Sequence, residues 1–385
     1  MTTSHQFRTV AFVISFLGMV FLFAPTARAE ETDPYVLPST LEDLLESLPG
    51  DILSRLPEGA LSSDTEIFAG AVGEMSSFSY LLQTVLSLVG LRLGDCGRLL
   101  CTVLGILLLS AVCRSLCSSF GRPEISRAFS FLVALTVTVT LFSSGFASIA
   151  DVVTYFQNLN AFSAACLPLM GGLYVMGGNA SAAVATSAGL SLFMTVLEQI
   201  VGKSIVPFCG ICQALALVSA CEGAPKMGSL VSSIKKNYTL LLSFFMMLLL
   251  AMLGAQTVLG AGKDTLAMRS AKFAAGSMIP VVGGSVSELL RSVSASVGYM
   301  RGAVGICGVL LLLLLLLPTL IELFLVRLTW QICASVAELL GCDTEKRLLE
   351  EFASINGYLI AAVAICSSVL FLSFTLLTHC ACAFG

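Results

Sequence analysis

The sequence predicts an all-α, polytopic membrane protein, and three observations support that prediction. Hydrophobic residues make up 57% of the 385 positions and charged residues only 11%, with a mean hydropathy of +0.95, whereas a soluble domain carries roughly 25% charged residues. Long apolar runs recur along the chain, and helices are the form in which such runs cross lipid. The charged residues are also unevenly distributed along the chain. Residues 30–80 hold eleven acids and one base, while residues 81–385 hold thirteen acids and seventeen bases. This composition excludes a soluble enzyme, a nucleic-acid-binding protein, a disordered protein and a secreted disulfide scaffold.

Residues 1–29 have the pattern of a secretory signal peptide. Arg8 precedes an apolar run at 10–24, Pro25 ends that run, and the small-residue site Ala27-Arg28-Ala29 follows. We expect cleavage after Ala29; an uncleaved first anchor is the alternative. In either case Glu30 lies outside the cytoplasm, because an acidic stretch does not conflict with the positive-inside rule.

Residues 30–80 form an acidic extracytoplasmic segment that precedes a membrane domain at 81–385. Within this segment Ser39 and Glu42 fit a capping box, and leucines follow at helical spacing up to Pro49. We therefore expect a short amphipathic helix that packs on the membrane domain or on a partner protein.

Six apolar runs are the strongest predicted membrane spans, and two more are weaker. The strong spans are 98–117, 128–150, 180–201, 237–260, 303–326 and 355–380, and the weaker ones are 161–178 and 204–221. Residues 78–93 are interpreted as a separate interfacial stretch, and residues 151–160 as an outside loop. Arginines and lysines in the loops 114–127 and 222–236 place both loops in the cytoplasm.

The segment 263–301 does not fit this alternation, because it carries five bases and two acids on the side counted as outside. Either a weak span is not a full crossing, or the segment itself enters the membrane as a re-entrant hairpin, which needs protein or water around its backbone. As gate residues in that hairpin we single out its charged, glycine and proline positions: Arg269, Lys272, Gly276, Pro280, Gly283 and Gly284.

Catalytic and metal-binding patterns are scarce. Of the two histidines, only His379 lies beyond the signal peptide; together with Cys380 and Cys382 it is a weak candidate metal cluster. The pair Cys209 and Cys212 has thioredoxin spacing without a βαβ context, so small apolar packing residues are the better interpretation; the pair Cys113 and Cys117 is interpreted in the same way. Residues 260–265 lack the first glycine and the Ser/Thr of a phosphate loop. We therefore expect no enzyme activity, no cofactor and no metal.

Glu322 is the notable acid at predicted membrane depth. Such acids are costly and often functional, but Arg327 lies close in sequence, so an ion pair at the end of a span is an equal alternative. Glu198 and Lys203 form a similar pair.

Two tracts resemble the stage III sporulation protein AE family of endospore-forming bacteria. They are SIKKNYTLLL at 233–242 and RSAKFAAGSMIPVVG at 269–283. The overall plan of signal peptide, acidic outer stretch and multispan domain is also similar. The resemblance covers most of residues 30–385 and is most specific at 232–284.

The resemblance implies a multi-pass protein of the mother-cell membrane that surrounds the forespore. It implies work in a complex with other stage III sporulation proteins, including a separate secretion-type ATPase and ring-forming intermembrane proteins. The multispan member is then expected to be a channel, export gate or permease-like platform. A membrane scaffold that conducts nothing and an ordinary secondary transporter are the alternatives, and the sequence leaves a homo-oligomer open.

Overall fold

The computed structural model describes residues 73–119, 123–200, 204–220, 231–251 and 283–379, with isolated positions at 50, 56–57, 70–71, 254–255 and 266. Every regular element in these ranges is an α-helix, which confirms the all-α fold. The signal peptide and most of the acidic segment, with its predicted amphipathic helix, lie outside the described residues.

Seven helices make up the described bundle. In chain order they are α1 (Phe78–Ser119), α2 (Pro123–Met176), α3 (Ala180–Ile200), α4 (Val206–Ala220), α5 (Val231–Ala251), α6 (Gly283–Leu339) and α7 (Asp343–His379). All except α4 are long and apolar enough to cross a membrane. Each of the six strong predicted spans overlaps one of these six helices.

Neither weak span is, by itself, among the six candidate membrane spans found in the described residues. Residues 161–178 do not form a separate span, because α2 runs without a break from Pro123 to Met176. Helix α4 has 15 residues, about 22 Å at 1.5 Å per residue, which is short of a hydrocarbon core of roughly 30 Å. The two weak spans would together cross the membrane twice. Leaving both out therefore keeps every later loop on its predicted side.

Two sequence interpretations are wrong for a common reason. Residues 151–160 are not a loop but the middle of α2, and residues 78–93 are not a separate stretch but the first half of α1. Polar residues, even with Gly94 and Gly97 among them in α1, do not end a helix when the apolar residues on either side pack inward. Tyr155, Phe156 and Leu159 are all buried in the bundle core.

The core has two apolar clusters stacked along the long helices. The larger cluster surrounds the leucine run 310–317 of α6, which is buried along its whole length. The smaller cluster surrounds Trp330 near the turn between α6 and α7 and includes Val103 of α1 and Val137 of α2. Gly341 makes this turn with a φ of 70°, a conformation that favours glycine.

The long helices exceed the thickness of a membrane. The 54 residues of α2 and the 57 residues of α6 correspond to about 81 and 86 Å, against a hydrocarbon core of roughly 30 Å. Both helices therefore extend beyond the lipid at one end or both. Residues 283–301, predicted to belong to a re-entrant hairpin, are the first turns of α6; residues 267–282 lie outside the described part.

Candidate functional site

A cluster of charged side chains joins the three helices α1, α2 and α6. Nη2 of Arg92 on α1 lies 3.0 Å from Oε2 of Glu322 on α6. Asp151 on α2 and Asp95, one turn after Arg92 on α1, line the same space. The cluster thus gathers charged groups from three helices.

These residues border a cavity of about 180 Å³, which we call the charged cavity. That volume holds several water molecules, and the polar lining gives them partners. The cavity is not sealed, since the side chain of Arg92 is 44% exposed and that of Glu322 is 18% exposed. Its lining consists of Arg92, Asp95, Cys96, Leu99, Ser144, Ala147, Ser148, Asp151, Glu322 and Val326.

The charged cavity lies where the two apolar clusters meet. The larger cluster contains Leu88 of α1 and Leu320 of α6, on one side of the cavity, and the smaller contains Val103 and Trp330, on the other. Ser110 of α1 donates a hydrogen bond to Glu345 near the α6–α7 turn. Arg92 and Ser110 are about 27 Å apart along α1 at 1.5 Å per residue. The cavity and the turn are therefore separated by close to one membrane thickness.

The charged cavity can hold water and a proton. Three carboxyl groups face one guanidinium group, so acceptors and negative charge are in excess. Among the described residues no group of three or more His, Cys, Asp and Glu side chains has the geometry to hold a metal ion.

A second ion pair, which is more deeply buried, ties α5 to α7. Nζ of Lys235 lies 3.0 Å from Oε2 of Glu351 and donates to Oγ of Ser354 at 2.8 Å. The side chain of Lys235 is 7% exposed and that of Glu351 is 20% exposed. Lys235 stands in the SIKKNYTLLL tract, so this tract supplies a structural contact between two helices.

Comparison with known proteins identifies the family of the chain. The family model described as stage III sporulation protein AE matches residues 66–381. The chain belongs to the stage III sporulation protein AE family. The stage III sporulation protein AE of Bacillus subtilis (strain 168) is 23% identical over 300 residues, which cover 78% of this chain and 73% of that protein. No solved structure matches the chain.

Of the residues predicted as functional in this stage III sporulation protein AE family member, Glu322 belongs to the described cluster. Its partner is Arg92 on another helix, so the predicted pair with Arg327 is wrong. The guanidinium group of Arg327 instead lies against Gly357 of α7, and its buried Nε has no hydrogen-bond partner among the described residues. Gly283 and Gly284 begin α6. The other predicted gate residues, Arg269, Lys272, Gly276 and Pro280, lie outside the described residues.

The cysteine prediction is confirmed for the pair on α4. Cys209 and Cys212 are free and buried at 0% and 2% exposure, as packing residues would be. Cys113 is also a free cysteine. The side chains of Cys117, Glu198 and His379, and the residues Lys203, Cys380 and Cys382, lie outside the described part.

Sequence reasoning missed Arg92, Asp95 and Asp151. A signal was present: each is a charged residue between two apolar runs that belong to one continuous helix. Because both runs were treated as separate segments, the charges were assigned to connections outside the membrane. Their proximity to Glu322 depends on how α1 and α2 pack against α6. No local sequence pattern reveals that packing.

Proposed function

We propose that this chain is the multispan membrane component of a complex that joins mother cell and forespore, where it acts as an export gate or permease-like platform. Family membership and six candidate spans support the membrane and sporulation parts. The observation that carries the gate is the charged cavity between three of the long apolar helices. Inward-facing charged residues are costly in membranes and mark pathways for polar solutes or protons.

The proposed location is the mother-cell membrane around the forespore, with the mature N-terminus outside the cytoplasm. The cytoplasmic loops would then be 114–127 and 222–236, which carry arginines and lysines. The proposed partners are other stage III sporulation proteins, among them a secretion-type ATPase and intermembrane ring proteins. An external ATPase would supply the energy, because the chain has no complete phosphate loop.

The gate is tested by neutralising the charged cavity in the native sporulating host. Glu322→Gln keeps the size of the side chain but removes the charge that pairs with Arg92. The matched control is Glu338→Gln on the same helix, whose side chain is 63% exposed. We expect Glu322→Gln to lower late forespore gene expression after engulfment, because it removes the charge that pairs with Arg92 in the charged cavity. The control should be normal.

Protein abundance and assembly of the ring are measured in the same cells. A gate predicts that Glu322→Gln leaves both unchanged while forespore expression falls. Normal forespore expression in Glu322→Gln and in Asp151→Asn, with normal abundance, would refute a working role for the charged cavity.

A scaffold is the second candidate, and a specific observation favours it. Helices α2 and α6 extend well beyond a single membrane thickness, and such extensions offer surfaces to other proteins. If the chain only assembles partners, deleting the gene disperses the ring, whereas neutralising the charged cavity has no effect on expression or assembly.

A further inference from the structure

Arg327 of α6 is a charged residue for which the described residues supply no counter-charge. Its buried Nε has no hydrogen-bond partner among them, and none of the ion pairs between described residues includes it. It follows the apolar run 303–326 directly. Charged side chains in membrane-spanning helices pair with other charges or polar groups. Arg327 therefore has the capacity to bind a negatively charged group that the described bundle lacks.

The guanidinium group of Arg327 lies directly on the backbone of α7, because Gly357 leaves space for it. A Cβ at position 357 would stand 3.1 Å from both Cζ and Nη1 of Arg327, which is closer than an ordinary van der Waals contact. The two helices thus form a shallow depression with a planar cation at its base. We call it the Arg327 groove and define it by Phe324, Arg327 and Leu328 of α6 and by Ser354 and Gly357 of α7.

The Arg327 groove opens to the surface of the bundle. Phe324 and Leu328 lie on the same face of α6 as Arg327, at helical spacing, and each is 41% exposed. Ser354, one turn before Gly357 on α7, is also exposed. In a membrane helix such exposed apolar side chains face lipid. The groove therefore places an unpaired cation beside a lipid-facing apolar surface.

The charge around the groove is positive. Nζ of Lys235 on α5 donates a hydrogen bond to Ser354 at 2.8 Å and pairs with Glu351 at 3.0 Å. Two bases and one acid therefore border this stretch of α7, and the acid is already paired. Glu350, the nearest other described acid on α7, lies about 10 Å along the helix from the groove and faces Lys346.

We infer that the Arg327 groove binds the phosphate group of an anionic phospholipid. An arginine can donate two parallel hydrogen bonds to phosphate oxygens, and basic pockets between membrane helices bind anionic head groups. Arg327 follows the apolar run of α6 and Lys235 precedes that of α5, which is the level of the head groups at the ends of spans. The acyl chains lie along Phe324 and the apolar run before it. This site is independent of whether the chain conducts or only assembles partners.

The test is a lipid titration of the purified full chain in detergent, followed by native mass spectrometry. Phosphatidylglycerol is compared with phosphatidylcholine of the same acyl chains, and phosphatidylglycerol should bind more tightly. Arg327→Met should weaken binding of phosphatidylglycerol roughly tenfold or more, because charged hydrogen bonds are lost, and should abolish the preference between the lipids. Arg347→Met is the matched control. It removes one exposed positive charge from α7 near its turn with α6 and should leave binding unchanged.

Glycerol phosphate, the soluble head group, separates a lipid site from a site for free phosphate. In large excess it should leave phosphatidylglycerol bound, because it lacks the acyl chains. Displacement by glycerol phosphate would overturn the lipid assignment. Equal binding of the two lipids, or equal losses in Arg327→Met and Arg347→Met, would overturn the site itself.

A second variant guards against a failure of Arg327→Met to accumulate. Arg327→Lys keeps the charge but cannot donate two parallel hydrogen bonds to one phosphate. It should weaken binding of phosphatidylglycerol severalfold while the preference over phosphatidylcholine persists. Undiminished binding in Arg327→Lys would contradict recognition by the guanidinium group.

Discussion

The buried ion pair between Lys235 of α5 and Glu351 of α7 should stabilise the bundle strongly. Removing only one of its two charged partners should therefore lower the free energy of unfolding more than most other polar substitutions. Removing one partner of a buried pair typically costs 3–5 kcal/mol, because the remaining charge is left without compensation. The two partners are not equally buried, since the side chain of Lys235 is 7% exposed and that of Glu351 is 20% exposed. The two single substitutions should therefore differ.

Glu351→Gln removes the negative charge beside the nearly enclosed ammonium group of Lys235 and leaves it with neutral acceptors, the glutamine amide oxygen and Ser354. We expect it to lower the free energy of unfolding by about 3 kcal/mol. Lys235→Met leaves a carboxylate that reaches water, and should cost about 1–2 kcal/mol. The double variant should cost less than the sum, with a coupling energy of about 1–2 kcal/mol.

The measurement is reversible denaturation of the purified full chain in detergent micelles, with all four proteins of the cycle compared. A second cycle at Lys346 and Glu338 serves as the control, because the side chain of Glu338 is 63% exposed and exposed pairs contribute about 0–1 kcal/mol. If Glu351→Gln cost no more than Glu338→Gln, the buried pair would not fasten α5 to α7, and the reasoning would be refuted.

Three further substitutions test the packing of the bundle by the same denaturation assay. Gly308→Ala should cost about 1–3 kcal/mol, because the added methyl group overlaps the ring of buried Phe374; a loss no larger than that of Gly105→Ala, where no atom lies within 4 Å, would contradict this contact. Tyr155→Phe removes a hydroxyl group 2.6 Å from Oγ of Ser367 and should cost about 1 kcal/mol; no loss would mean that the bond is not made. Gly341→Ala should lower the free energy of unfolding by about 1 kcal/mol through its φ of 70° alone. An unchanged or higher free energy of unfolding would contradict that conformation.

The sequence was sufficient for the fold class and for six membrane helices, because apolar runs are a local property that composition and length reveal. It was insufficient where one helix contains a polar interval. Asp151 and its polar neighbours looked like a loop between two spans, yet Tyr155 and Phe156 in the same interval are buried and continue α2. Helix continuity there depends on packing against other helices, which is a tertiary property.

The candidate site was predicted only in part for the same reason. Glu322 is visible as an acid within an apolar run, but Arg327 is the nearest base in sequence, so a local reading pairs the two. In the folded chain Arg92, 230 positions earlier in the sequence numbering, reaches Glu322 because α1 packs beside α6.

A gate at the charged cavity requires that water reaches the cavity in the assembled membrane complex. The most direct measurement is the reaction rate of Ser144→Cys, which lines the cavity, with a membrane-impermeant, positively charged thiol reagent. The reference is Val139→Cys, at a 63% exposed apolar position of the same helix. A water-filled cavity predicts labelling at position 144 roughly tenfold or more faster than at position 139, because thiols react as thiolates, which form in water. Equal or slower labelling at position 144 would contradict a gate at this place.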